Sequence, residues 1–259
     1  MILAIDVGNT NIVIACIDRE KIYFTARLET DQSKTKDEYV IRFKDILNFY
    51  KIDVNLIAGA IISSVVPQLI AVHKEAITEI VGKTPLVVDP SMKTGLNIAI
   101  DSPGEIGSDL IVGAVAAMED YACPVIIFDF GTATTVSVID REKIFIGGLI
   151  MPGLKISLEA LVGSTAQLPY VALDAPAEII AKNTVDCMKS GLIYGNAAMI
   201  DGLIARIQEN LSTEATVIAT GGLASTILPF CKKKIVYDDD LLLRGLLYLY
   251  EKNSHSNWI

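Results

Sequence analysis

The chain has 259 residues, with 31 acidic and 22 basic side chains giving a formal net charge of −9. That balance argues against non-specific binding to nucleic acid or to an anionic membrane surface. Apolar residues reach 51% and aromatic ones only 7%, a mixture rich in Ile, Leu, Val and Ala that suits a layered α/β protein with a sizeable core.

In chain order, residues 2–29 read as three strands, the first ending at Asp6-Val7-Gly8-Asn9-Thr10. The start has no basic run and meets an aspartate at position 6, so it is not read as a signal peptide. Thr35 to Tyr50 follows as a helix with Val40, Phe43, Leu47 and Tyr50 on its apolar stripe and Asp37 and Glu38 in its first turn. Ile57 to Ser63 is expected to be a strand, and Pro67 starts a helix to Val81. The apolar window Leu56–Val72 is broken by Ser63, Ser64, Pro67 and Gln68 and is too interrupted to span a membrane. Pro85 to Val88 is a strand, 89–104 a loop, and Glu105 to Tyr121 a long helix able to bridge two lobes. From Pro124 the plan repeats, with strands to Ile150 and helices over 153–163 and 184–210. A strand at Thr216–Ala219, a helix from Leu223, a strand at Lys234–Tyr237 and a helix over Asp240–Lys252 complete it. The last helix is apolar nearly all round and is expected to be buried on most sides.

The repeat sets the organisation. Ile2 to Asn11 is an apolar run, an Asp-x-Gly and a polar corner, and Val125 to Thr135 repeats that order around Asp129-Phe130-Gly131-Thr132. Both copies run into the same hexapeptide, Ile17-Asp18-Arg19-Glu20-Lys21-Ile22 and Ile139-Asp140-Arg141-Glu142-Lys143-Ile144, with the register slipped by one residue. Two such units imply two similar lobes, 1–121 and 122–259, each presenting an Asp-x-Gly turn. A carboxylate at the mouth of a buried strand is costly unless a cation or hydrogen-bond donors meet it. A glycine beside it lets a ligand approach the backbone, and the following amides can form a concavity for an anion. Two carboxylates beside a polyphosphate make sense with Mg²⁺ between them, which points to metal-assisted phosphoryl transfer or nucleotide hydrolysis. Thr220-Gly221-Gly222 follows a strand and opens a helix, where a flat ligand can lie close to the backbone.

Other signals lead away from chemistry. Gly82-Lys83-Thr84 resembles the end of a phosphate-binding loop, but Ile77 stands where the loop needs glycine. His73 and His255 read as isolated surface histidines, and Lys232-Lys233-Lys234 as a solvated turn. Cys16, Cys123, Cys187 and Cys231 lack redox or zinc spacing and fit reduced thiols in the cytoplasm, with Cys16 buried in a strand.

The paired Asp-x-Gly turns resemble those of the superfamily of acetate and sugar kinases, actin and heat-shock chaperones. Within it the whole chain is similar to type III pantothenate kinases. The motifs that carry this are Asp6 to Thr10, Pro103-Gly104-Glu105-Ile106-Gly107-Ser108-Asp109, Asp129 to Thr135, Gly147-Gly148-Leu149-Ile150-Met151-Pro152-Gly153 and Lys182-Asn183-Thr184-Val185-Asp186. The resemblance implies an α/β fold of duplicated ribonuclease-H-like lobes of the actin-like ATPase type, with the cleft between lobes. It also implies ATP-dependent phosphorylation of pantothenate, a homodimer, Mg²⁺, and a monovalent cation (K⁺ or NH₄⁺), with no nucleic-acid or membrane partner. By matching motif, Asp6, Val7, Gly8, Asn9, Thr10, Asn11, Ile12 and Val13 would hold the nucleotide phosphates and, through Asp6, Mg²⁺. Thr132 would contact ATP, Gly221 and Gly222 would lie at the nucleoside, and Asp129 would hold the monovalent cation. Gly107, Ser108, Asp109, Leu110 and Thr184 would line the pantothenate site, with Asp109 as general base. The chain departs from the family at Leu110, where arginine is usual, and at Ile100, where tyrosine is common, so a changed substrate is one alternative. Two others are a dehydratase-activating ATPase, which would need a cysteine pair for an iron–sulfur cluster, and an accessory factor for transcription.

Overall fold

The computed structural model describes residues 1–89 and 91–254; His255 lies outside the described residues. Among the described residues two compact units are present: 1–96, 101–119 and 240–254 form the first, and 97–100 with 120–239 the second.

The first unit is built on five strands, β1 (Ile2–Val7), β2 (Asn11–Ile17), β3 (Ile22–Glu29), β4 (Ala60–Ser64) and β5 (Leu86–Val87). They lie in the order β3-β2-β1-β4-β5. The first three pair antiparallel, while β1–β4 and β4–β5 are parallel. β1 is central and apolar on both faces except at Asp6, the residue expected to carry chemistry. Helix α1 (Lys36–Phe49) begins with a capping box, in which Thr35 accepts from the Glu38 amide and Glu38 accepts from the Thr35 amide. Helix α2 (Pro67–Val81) has proline in its first turn and ends at Gly82, whose φ of 74° supplies the left-handed cap. Gly82-Lys83-Thr84 therefore closes a helix, while a phosphate-binding loop must open one.

His73 is a correction. Expected at the surface, it is fully buried on α2, with its ring 4.4 Å from Tyr39 at 75° and also against Phe43. Neither ring nitrogen has a hydrogen-bond partner, and burial pushes its pKa down to about 4. The apolar stripe of α1 faces α2, and the helical period places His73 on the inward face with Leu69, Ala76, Ile77 and Ile80. Position on that face outweighs side-chain polarity here.

The 89–104 loop holds a two-residue strand, β6 (Asn97–Ile98), that pairs with the second sheet. A turn of 3₁₀ helix at Pro103–Glu105 precedes α3, which starts at Ser108 and ends at Asp120, later than the Glu105 expected from sequence. The second unit adds β7 (Val125–Phe130), β8 (Ala133–Ile139), β9 (Ile144–Pro152), β10 (Thr216–Thr220) and β11 (Val236–Tyr237). Its order, β11-β10-β7-β8-β9-β6, repeats the first sheet with β6 added at the edge. Helices α4 (Leu154–Gly163), α5 (Thr184–Leu211) and α6 (Ala224–Ile227) accompany it.

The repeated hexapeptides are hairpin turns. Asp18 accepts from the Glu20 and Lys21 amides, and Asp140 accepts from the Ile144 amide. The one-residue slip lies in the preceding turn: Val7 pairs with Ile12, but Phe130 pairs with Thr134, one residue sooner.

The last helix, α7 (Leu241–Asn253), belongs to the first unit and so crosses the boundary expected at 121/122. It packs on β1, β2 and β4. Lys252 binds Glu119 at 2.7 Å and the Thr94 carbonyl at 3.1 Å, and Asn253 exchanges hydrogen bonds with the Lys93 backbone. Lys232 to Lys234 are exposed as expected, with the amides of Lys232 and Lys233 held by the Asp201 carboxylate.

Candidate active site

In the first unit, the Gly8-Asn9-Thr10 corner joins β1 to β2. Thr30 braces it: its hydroxyl donates to the Gly8 carbonyl at 2.7 Å and its amide to the Thr10 carbonyl at 2.9 Å. The Gly8 amide donates to the Asn11 carbonyl. These three carbonyl oxygens, which would repel a phosphate, are thus engaged within the fold, while Asn9, Thr10 and Asn11 are exposed. Val7 and Ile12 are fully buried, so only their backbone is available to a ligand; Val13 is half-buried.

Asp6 lies at the end of this strand beside Ser63 of β4, whose hydroxyl is its hydrogen-bond partner. Desolvation raises the Asp6 pKa to about 7, the Ser63 hydrogen bond opposes the rise, and the charge of Asp109 adds to it. Asp109, in the first turn of α3, is also pushed above the usual carboxylate range by burial, against hydrogen bonds from backbone amides. One of these is Leu110 N to Asp109 Oδ1 at 2.8 Å. Gly107 lies close beside it: a Cβ there would stand 2.4 Å from Asp109 Oδ1 and would displace the carboxylate from its present position. The unit therefore brings Asp6 and the Gly107–Leu110 loop together. Two desolvated carboxylates that each resist ionisation form a place where a divalent cation with phosphate oxygens relieves the electrostatic cost. Among the described residues no cluster of three or more His, Cys, Asp or Glu could hold a metal alone.

Sequence reasoning missed Ser63 and Ser64, which it treated only as breaks in an apolar window. Ser108 Oγ lies 3.1 Å from Ser63 Oγ, accepts from the Ser64 amide at 3.1 Å and donates to the Ser64 carbonyl at 3.0 Å. The signal in the sequence was a serine pair at the end of an apolar strand; that this strand lies beside the Asp6 strand is seen only in the structure.

In the second unit, three turns meet around Asp129. Gly221, at a φ of 91°, lies so close that a Cβ would stand 2.5 Å from Asp129 Oδ1 and 2.7 Å from Phe130 N. A Cβ on Gly153 would strike the carbonyl oxygens of Thr132 and Gly131. Gly221 thus lies against Asp129 and Gly153 against Thr132, with Gly222 exposed beside Gly221. Thr184 is exposed in the first turn of α5, where Asn183 is the cap: it accepts from the Asp186 amide and donates to the Asp186 carboxylate. Much of that motif is therefore helix-start chemistry. The four cysteines are free thiols, and Cys16 is buried as expected, its pKa pushed up to about 12.

Two sheets of one strand order, each with an Asp-x-Gly turn at the end of an inner strand, give the duplicated α/β fold that actin-like ATPases and sugar kinases also have. Solved structures agree on the fold. Component A of (R)-2-hydroxyglutaryl-CoA dehydratase from Acidaminococcus fermentans is 13% identical, with a TM-score of 0.55 over 96% of each chain. A Baf family transcriptional activator from Campylobacter jejuni is 18% identical, with a TM-score of 0.60 over 97% of this chain and 98% of that one. Within the class, the chain belongs to the type III pantothenate kinase family, whose model matches residues 2–206. The protein named type III pantothenate kinase from Bacillus cytotoxicus is 43% identical over 254 residues, 98% of this chain and 97% of its own. That from Geobacillus sp. (strain WCH70) is 43% identical over 253 residues, 98% of each.

Proposed function

We propose that the chain transfers the γ-phosphoryl group of ATP to the primary hydroxyl of pantothenate, the first step towards coenzyme A. The observation that carries this reading is the Asp6–Asp109 pair of the first unit, set in a chain whose full-length relatives bear that activity in their name. Residues Asp6 to Val13 hold the phosphates by backbone, and Asp6 supplies a carboxylate to Mg²⁺. When bound, Mg²⁺ neutralises charge on the phosphates. Asp109 accepts the proton of the attacking hydroxyl and orients it, while Gly107, Ser108 and Leu110 shape its loop. A carboxylate whose pKa burial has raised is better matched to that proton than an exposed one. Thr132 contacts ATP, Gly221 and Gly222 lie against the nucleoside, and Asp129 holds K⁺ or NH₄⁺.

The working unit in this reading is a homodimer in the cytoplasm, with Thr184 reaching pantothenate bound by the other copy. Its support is the set of large apolar side chains left in water on the second unit, among them Ile150 and Ile180, each 78% exposed. Among the described residues no helix is long and apolar enough to cross a membrane. The test is ADP release with and without pantothenate and K⁺, run beside sedimentation. Release that requires both, from a dimer, is expected. Release indifferent to pantothenate points to a changed substrate or to plain ATP hydrolysis, and an active monomer removes Thr184 from the site.

A further inference from the structure

The Asp6 strand and the Asp109 helix are joined by side-chain oxygens. Ser63 is fully buried, and a buried hydroxyl is costly unless it is hydrogen-bonded. Its partners are the Asp6 carboxylate on one side and Ser108 Oγ, at 3.1 Å, on the other. Ser108 then grips both the amide and the carbonyl of Ser64, so the start of α3 is held to the end of β4 at two backbone points. Asp109 Oδ1 is anchored to the Leu110 amide of the same turn, so any displacement of the turn carries the carboxylate with it. Ser63 and Ser108 have one proton each to share among Asp6, each other and the Ser64 carbonyl, so the bond made at one end fixes which bond remains at the other.

We propose that Ser63 and Ser108 act as one positioning device for phosphoryl transfer, fixing Asp109 relative to Asp6. This rests on the reading of Asp109 as the base. Neither hydroxyl is assigned contact with the reacting atoms; both act through the two carboxylates.

The test combines kinetics with hydrogen exchange on the full chain. Ser63→Ala and Ser108→Ala should each lower kcat about ten- to a hundredfold, the scale of a small misplacement of a catalytic group. KM for ATP should stay within about twofold in both variants, and KM for pantothenate within about twofold in Ser63→Ala, whose hydroxyl is assigned no substrate contact. The double variant should lose no more than the worse single one, because the hydroxyls work as a unit. Ser108→Thr, which keeps the hydroxyl, should recover most of the loss. Independently of any substrate, amides from Leu110 to Val112 should exchange faster in both alanine variants. Losses that multiply in the double variant, a kcat close to wild type, or unchanged exchange would overturn the proposal. If Ser63→Ala does not fold, the half-buried Ser108→Ala and its threonine partner decide the matter. A wild-type protein inactive on pantothenate would sink the substrate reading, and exchange at the start of α3 would still judge the bridge.

Discussion

At the scale of single residues, the two buried carboxylates of the first unit, Asp6 and Asp109, each carry a separable prediction under the proposed reaction. Asp109 could simply complement the positive end of α3, a role worth about 0.3–1 kcal/mol of stability. As the proposed general base it would contribute about 10²–10⁴-fold to the rate. Asp109→Asn is therefore expected to cut turnover by that factor while ATP affinity and melting temperature barely move. Activity that falls only with the folded fraction would make Asp109 a helix-start acid. For Asp6 the folded pKa of about 7 lies above its ordinary 3.8. Between those values the folded state holds a proton that the unfolded state has released, so the ligand-free protein loses stability as pH rises through that window. The cost is fully present above pH 7. Asp6→Asn should thus stabilise the metal-free protein by about 2–4 kcal/mol at pH 8, fading towards pH 4, while abolishing Mg²⁺-dependent turnover. Melting curves across that range would show it. An asparagine variant less stable at every pH would mean that Asp6 is held by more than the Ser63 hydrogen bond.

Among the elements, those read best from sequence had local signals. Pro67 and Gly82 bracket α2, and Thr35 with Glu38 starts α1, because caps and prolines act within a turn. The duplicated Asp-x-Gly corners marked both turns that the units present. Parallel pairing of β6 with β9 was not legible, since two residues carry no periodicity and their partner is remote in sequence. The same holds for the place of α7: an apolar circumference says that a helix is buried, not against which sheet. The Ser63–Ser108 bridge depends on β4 lying parallel to β1, a tertiary fact. His73 shows the opposite failure, where polarity misled although the α2 period already placed it inward. Buried and neutral, it has a pKa of about 4 against an ordinary 6.5, so its contribution is intact above pH 6.5 and is lost as pH falls through 4. His73→Leu is expected to remove about 3 kcal/mol of acid sensitivity over that interval, leaving stability at pH 7.5 within about 1 kcal/mol of wild type. Denaturant titrations at several pH values would measure this, and an unchanged acid limb would place the sensitivity elsewhere.

For the whole molecule, one strand order occurs twice, and the chain returns at its end to cover the first sheet. The units use their copies differently. The corner after Asp6 is one residue longer than the corner after Asp129. The first sits beside a second carboxylate on α3, and the second is closed in by Gly153 and Gly221. The two corners therefore differ in length and in what surrounds them, although one strand order builds both. The central claim is the chemistry of the product. Mass spectrometry of a reaction containing ATP, Mg²⁺, K⁺ and pantothenate should show one phosphate added to pantothenate's primary hydroxyl for each ADP formed, with Asp109→Asn leaving both reactants intact. ADP formed while pantothenate remains unmodified would contradict the account.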